Sequence, residues 1–140
     1  MILPEGVFPV VSGPNDLDRP FWEGTRHEKV LIQRCRDCRE WQWGPELICR
    51  HCFSFDLGFE EVAPTGNIYS WERVWHPIVP ELAESVPFVI VIVALTDAPQ
   101  IRLVGNLVGD PLEPVVIGTP VDVAFEHHPD YTLVQWAKRS

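Results

Sequence analysis

Cys35-Arg36-Asp37-Cys38 and Cys49-Arg50-His51-Cys52 decide how this sequence is read. They contain all four cysteines of a 140-residue chain, spaced as CxxC, ten residues, CxxC. Two such knuckles can bring four thiolates onto one tetrahedral ion, at Zn–S distances of about 2.3 Å. Disulfides need an oxidising compartment, and nothing in the sequence points to export. A thioredoxin-type redox pair comes as one CxxC in a βαβ pattern and needs no twin. An iron centre of the rubredoxin kind takes the same four thiolates, so the spacing leaves both metals open, with zinc the expected one. A shell closed by four cysteines has no open position, which makes the metal structural and not catalytic. Arg34, Arg36, Arg39 and Arg50 lie close by and can offset the roughly −2 charge of a four-thiolate centre. His51 falls between two ligands and reads as solvent-facing.

Outward from the cysteines, Val30-Leu31-Ile32-Gln33 is a β-prone run leading into the first knuckle, and Trp41-Gln42-Trp43-Gly44-Pro45 reads as strand and turn. Residues 30–62 therefore form a zinc ribbon, two hairpins pinned by one metal, with too little surface to fold without it. Upstream, Asn15-Asp16-Leu17-Asp18 offers N-cap side chains and Pro20 suits a first helical turn, which predicts a short helix near residues 19–28. Residues 1–14 are expected to be extended, and 1–29 form a leading segment. Phe21 and Trp22 put two large aromatics on that helix. They are candidates to anchor a partner or a second copy of the chain; the alternative is packing onto the ribbon beside Trp41 and Trp43.

Downstream, residues 63–140 turn to strands. Gly66-Asn67-Ile68-Tyr69-Ser70-Trp71-Glu72-Arg73-Val74-Trp75 is rich in β-branched and aromatic residues. Residues 86–96 are almost continuously apolar, so both faces of that strand are expected to be covered. Ala98-Pro99 makes a turn. Along 100–107, Ile101, Leu103 and Gly105 share one side while Arg102, Val104 and Asn106 share the other. Residues 108–118 are a turn-rich connection, 120–126 alternate with Val121, Val123 and Phe125 on one side, and 131–136 are a last strand. Five short strands without a helix among them predict a mainly β chain ending in a five-stranded OB-type barrel, with an SH3-like barrel as the alternative. Trp71 and Trp75 lie four apart, share a face, and are expected to be barrel core at one position or both.

Charge limits the function. The chain carries 11 Lys+Arg and 20 Asp+Glu, a net charge of −9, and residues 53–140 hold four of those bases and twelve of those acids. A nucleic-acid binder needs the opposite balance. The start Met1-Ile2-Leu3-Pro4-Glu5 has no basic leader, and the longest apolar stretch is half the length of a membrane helix. A soluble, cytoplasmic chain is expected. The phosphate-loop, nucleophile-elbow and H-E-x-x-H patterns are lacking. Among the five histidines, His76 stands out beside Trp75 and Pro77, with Glu72 and Glu84 as candidate partners; a surface His at a loop mouth is the plainer reading. His127 and His128 read as solvated, as do Glu60 and Glu61.

Taken in order, Phe21-Trp22, the Cys35/Cys38/Cys49/Cys52 ribbon, Gly66-Asn67-Ile68-Tyr69-Ser70-Trp71, Val86-Pro87-Phe88-Val89-Ile90, Val104-Gly105-Asn106-Leu107-Val108-Gly109 and Ile117-Gly118-Thr119-Pro120-Val121 carry a resemblance. Over residues 15–136 the chain resembles the zinc-ribbon/OB-fold proteins known as a domain of unknown function and often described as acyl-CoA-associated. The resemblance implies an N-terminal helix, a rubredoxin-like zinc ribbon and an OB barrel. It also implies a small non-catalytic subunit bound to a thiolase-like enzyme in a hetero-oligomer, with acyl-CoA handled mainly by that partner. Residues 104–109 and the Trp75-His76-Pro77 loop look closest to a branch that supports a lipid-transfer-protein-type aldolase. That enzyme cleaves a steroid side-chain β-hydroxyacyl-CoA. Some members of the branch are fused to a hydratase, which makes a separate enoyl-CoA hydratase a second implied partner. On this reading the chain has no catalytic residue of its own, and Phe21, Trp22, Trp75 and His76 are its interface candidates. The alternatives are a stand-alone acyl-CoA binder or carrier and, on the OB fold alone, a single-strand nucleic-acid binder.

Overall fold

The computed structural model describes residues 3, 4, 7 and 16–140. The extended segment expected over 1–14, and Asn15 as a cap, lie outside the described residues apart from those three. Helix α1 spans Arg19–Arg26, with Asp18 at its N-cap and Pro20 in its first turn. The Asp18 carboxylate does not cap the backbone; it accepts the Trp22 indole N–H at 3.1 Å. Phe21, Gly24 and Thr25, spaced i, i+3, i+4, form the buried stripe. A Cβ at Gly24 would lie 2.9 Å from Leu31 Cγ, so the missing side chain lets the following strand approach. The helix stops at His27, and the chain reverses through Glu28 at φ 57°.

The ribbon sheet is built from β1 (Val30–Cys35), β2 (Trp41–Gln42) and β3 (Leu57–Val62), in the order β2-β1-β3 and antiparallel throughout. The barrel follows as β4 (Thr65–Val74), β5 (Phe88–Leu95), β6 (Arg102–Asn106), β7 (Pro120–His127) and β8 (Thr132–Lys138). Their order is β6-β5-β4-β7-β8. Closure comes from the two outer strands. Leu107 bridges Trp136 in parallel, Val108 N–H donates to Trp136 O at 2.8 Å, and Asn106 N–H donates to Gln135 Oε1 at 2.6 Å. A three-stranded meander β4-β5-β6, with the β7–β8 hairpin returning beside β4 and one parallel contact closing β6 on β8, is the partly open Greek-key barrel of the OB fold. The chain is mainly β, as its strand pattern predicts, with one 3₁₀ turn at Pro80–Leu82 between β4 and β5.

One core joins both modules. Phe21, Val30, Ile32 and Val62 pack in the same cluster as Ile68, Val91, Val93, Leu103, Val121 and Trp136. Strand β5 departs from expectation: Val89, Val91, Val93 and Leu95 are buried, but Ile90, Ile92 and Ala94 are only half-buried. The barrel covers one face of β5, and the other carries just the edge packing of β4 and β6. Trp71 of β4 and Trp75 just beyond it also differ from the expected core placement, since both are exposed. Strand β4 pairs with β7 only through Thr65, Gly66 and Asn67, and its register shifts between Ile68 and Ser70. Beyond that bulge β4 runs past the barrel with β5 alone.

Helix and barrel are clamped through the β7–β8 turn. Arg26 donates to His128 O at 2.6 Å, Pro129 O at 3.0 Å and Tyr131 O at 3.2 Å. His127 bridges Thr132 Oγ1 at 2.9 Å and Glu28 Oε1 at 3.0 Å. His127 is exposed, as expected, whereas His128 is not a solvated side chain: it bonds Glu126 Oε2 at 2.6 Å, stacks on Tyr131, and is 17% exposed. Local sequence pairs it with the turn, but the ring folds back along its own strand. Charged hydrogen bonds contribute about 1.5–3 kcal/mol each when sheltered, and less when exposed. Arg26 is exposed, so Arg26→Ala is expected to lower stability by about 1–2 kcal/mol in urea unfolding. A loss within about 0.3 kcal/mol of zero would show the clamp to be idle.

Candidate functional site

The first knuckle leaves the end of β1, and the second sits on the loop between β2 and β3. The four Sγ atoms lie within 4.8 Å of one another. Cys35–Cys52 and Cys38–Cys49 are each 3.6 Å apart. A tetrahedron with arms of about 2.3 Å has edges of about 3.8 Å, so the cluster already has the dimensions of a four-thiolate metal centre. Cys35 and Cys49 are buried, Cys38 half-buried and Cys52 exposed. Both knuckles turn through left-handed residues, Arg39 at φ 65° and Phe53 at φ 63°. The turns aim backbone N–H groups at sulfur: those of His51 and Cys52 point at Cys49 Sγ at 3.4 and 3.5 Å.

Those amides favour the thiolate. The Cys52 N–H, joined by that of His51, lowers Cys49 to about 6 against the opposing effect of burial. Cys35 is lowered through the Cys38 N–H. The Glu40 N–H favours the Cys38 thiolate too, but burial and the neighbouring sulfurs of Cys49, Cys52 and Cys35 push Cys38 up to about 12. Without a cation, a second negative sulfur at 3.6 Å is resisted; with one, all four ionise.

The surrounding arginines are committed to oxygen. Arg34 donates to Arg39 O and pairs with Glu60, Arg36 pairs with Asp56, and Arg39 holds Glu60 at 2.9 Å. The Arg39 contact lowers the Glu60 carboxyl. Glu61 pairs with Lys29. Arg50 donates to Trp43 O and Gly44 O. His51 is exposed.

Two residues that drew no notice in the sequence hold the loop entering the second knuckle. Gln33 Nε2 donates to Glu46 O and its Oε1 accepts the Glu46 N–H, at 2.9 and 3.0 Å. Gln42 Nε2 donates to Gln33 Oε1 and Ile48 O, and its Oε1 accepts the Arg50 N–H. Both amides are buried and satisfied, so they act as a template for residues 44–50. The available signal was an amide inside each of two apolar strands.

The four proposed contact residues separate by burial. Phe21 is buried, edge-on to Trp43 with ring centroids 4.8 Å apart and to Trp22 at 5.3 Å. Trp22 is half-buried against the core. Trp75 and His76 are exposed, in the connection after β4. No hydrogen bond joins His76 to Glu72 or Glu84 among the described residues.

A four-cysteine ribbon fused to a five-stranded OB barrel defines the class of protein. Residues 22–58 match the family described as the ChsH2 rubredoxin-like zinc ribbon domain, and residues 59–126 match the ChsH2 C-terminal OB-fold domain. The chain belongs to this ChsH2-type zinc-ribbon/OB-fold family. A chain of the solved "Ltp2-ChsH2(DUF35) aldolase" superposes with a TM-score of 0.80 at 33% identity, covering 94% of this chain and 98% of that one. A DUF35-family protein of unknown function from Sulfolobus solfataricus shares the fold at TM-score 0.63 and 14% identity, over 89% of this chain and 87% of that one. Among curated relatives, a probable enoyl-CoA hydratase alpha subunit of Thermomonospora curvata is 39% identical over 118 residues, 83% of this chain. The 3-oxo-4,17-pregnadiene-20-carboxyl-CoA hydratase alpha subunit of Mycobacterium tuberculosis is 30% identical over 138 residues, 89% of this chain. The alignments cover only 36% and 43% of those two relatives. No helix among the described residues is long and apolar enough to cross a membrane.

Proposed function

We propose that this chain is a non-catalytic accessory subunit of a thiolase-like acyl-CoA enzyme, a retro-aldolase acting on a steroid side-chain β-hydroxyacyl-CoA. The observation that carries this is the near end-to-end superposition on a chain of the Ltp2-ChsH2(DUF35) aldolase. The hydratase alpha subunits among its relatives support the same substrate class, since hydration of an enoyl-CoA yields a β-hydroxyacyl-CoA. In a retro-aldol cleavage the β-hydroxyl loses its proton, the Cα–Cβ bond breaks to a carbonyl product, and the resulting enolate is protonated to an acyl-CoA. The partner supplies the acid–base residues and holds the CoA ester. This chain completes the hetero-oligomer in the cytoplasm, and a separate enoyl-CoA hydratase provides the substrate.

The metal in this reading is zinc, held by Cys35, Cys38, Cys49 and Cys52. Sulfur spacings of 3.6 Å and two sulfur-directed amides on Cys49 support a closed four-thiolate shell. Bound there, the ion fixes the two knuckles, and no reacting atom approaches it. Elemental analysis separates zinc from iron, and an iron site would colour the protein. The modules divide as residues 1–29, 30–62 and 63–140.

The test is turnover of a steroid side-chain β-hydroxyacyl-CoA by chain and partner, apart and mixed. The chain alone is expected to give none, and mixing is expected to raise cleavage by about 10²-fold over the partner alone, the scale on which misplaced groups cost rate. Cleavage by this chain without a partner would overturn the reading.

A further inference from the structure

We infer that the barrel end formed by the β4–β5 and β6–β7 connections is the surface that docks the thiolase-like subunit, and that the partner meets it with an apolar patch rimmed by Lys and Arg. This rests on the accessory-subunit reading above. Trp75, Ile78 and Leu112 are all exposed there, Ile78 at 99%. Large apolar side chains left in water on neighbouring loops mark a candidate docking site.

The β6–β7 connection is held in place, and the β4–β5 connection is shaped by the local 3₁₀ turn at Pro80–Leu82. Arg73 donates from Nε to Pro111 O at 2.7 Å and from Nη2 to Glu113 O at 2.8 Å, tying β4 to the β6–β7 connection. Its guanidinium also lies 5.2 Å from the Trp71 ring. Lys138 fixes the same loop through Glu113 Oε2 and Pro114 O, and Gly118 N–H donates to Ile68 O at 2.7 Å. Apolar side chains on a pre-set frame lose little freedom on binding.

Charge separates this surface from its nearest rival. The tip of the second knuckle also exposes Leu47, Phe53 and Phe55. Around that tip Arg36 pairs with Asp56, Arg50 pairs with Glu46, and Asp37 accepts the Ser54 hydroxyl, so fewer charges stand free there than at the barrel end. At the barrel end Glu72, Glu81 and Glu84 are exposed and have no ion pair among the described residues, while the cations Arg73 and Lys138 are engaged within the chain. An apolar centre with an unbalanced acidic rim calls for a basic-rimmed partner, and the net charge of −9 steers the encounter in the same sense.

The probe is the host's own thiolase-like subunit, titrated with the full-length chain. A Trp75→Ala/Ile78→Ala double variant is expected to weaken binding by about thirtyfold or more with metal content and circular dichroism unchanged. Glu81→Lys/Glu84→Lys is expected to slow association and flatten its dependence on salt. Phe55→Asp is the control and should bind within about threefold of wild type. Loss of binding in Phe55→Asp with the barrel-end variants unaffected overturns this surface while leaving the accessory role intact. A Trp75/Ile78 variant that changes only self-association shows a second copy to be the occupant and overturns it as well. A wild-type chain that binds no thiolase-like subunit overturns both readings.

Discussion

Cys49→Ser, or removal of the metal with a strong chelator, is expected to unfold residues 35–56 and to drop the bound metal from one per chain to none. The ribbon has little else to hold it. Strand β2 is two residues long, and the second knuckle leaves Leu47, Phe53 and Phe55 in solvent instead of forming a core. Val30, Ile32 and Val62 are the fully buried residues that tie the ribbon sheet into the barrel, with Trp41 and Phe59 packed half-buried beside them, and none of these lies in a knuckle. Structural zinc supplies about 10–16 kcal/mol of apparent binding energy in ribbons and fingers of this size, against about 5–15 kcal/mol for the stability of a whole domain. Cys49 is a damaging ligand to lose, because it is buried and two backbone amides are aimed at its sulfur. Those N–H groups would face a shorter, weaker ligand. Hydrogen exchange should show protection lost across both knuckles, with β4–β8 loosened but still protected. Retention of metal and of knuckle protection in Cys49→Ser would refute a four-thiolate site.

How much of this was legible follows from the range of each interaction. The metal cage was readable because its ligands fall in two local knuckles. The barrel strands were readable because alternation is local: Ile101 and Leu103 are buried and Arg102 and Val104 exposed, as their spacing predicts. What escaped depends on distant partners. Arg26 meets carbonyls more than a hundred residues away, and His127 meets Glu28 across 99 residues. No sequence neighbour announces either. Trp71 failed for a different reason. The register shift after Ile68 brings it opposite the buried Val91, on the inward side of β4, yet it stays exposed. The bulge after Ile68 and the early departure of β7 leave that half of the strand uncovered. Gln33 and Gln42 were passed over because a buried amide is legible only once its backbone partners are in place.

The second large effect is expected at Trp136. The ring is 0% exposed and lies at the seam where β6 closes on β8. Gly105 makes room for it: a Cβ there would stand 2.9 Å from Trp136 Cδ1 and 2.6 Å from Val134 O. Removing a buried indole costs about 3–5 kcal/mol through lost transfer energy and the cavity left behind. Trp136→Ala is therefore expected to take most of the stability of a domain this size, with the midpoint of urea unfolding falling accordingly. Trp136→Phe separates packing from polarity. The Trp136 Nε1–H is buried without a hydrogen-bond partner, and an unsatisfied donor costs about 1–3 kcal/mol. Phe gives up part of the ring's contact area but also removes that orphan donor, so its loss should be clearly smaller, about 1–2 kcal/mol. Because Gly105 backs the ring, Gly105→Ala should destabilise the wild type by overpacking and remain costly with Phe at 136, where Val134 O still opposes the new methyl. Circular dichroism at the β-sheet band follows all three variants without relying on the fluorescence of the residue being changed. Equal losses for Trp136→Phe and Trp136→Ala would mean that the indole N–H does have a partner, and that the seam depends on that bond more than on the shape of the ring.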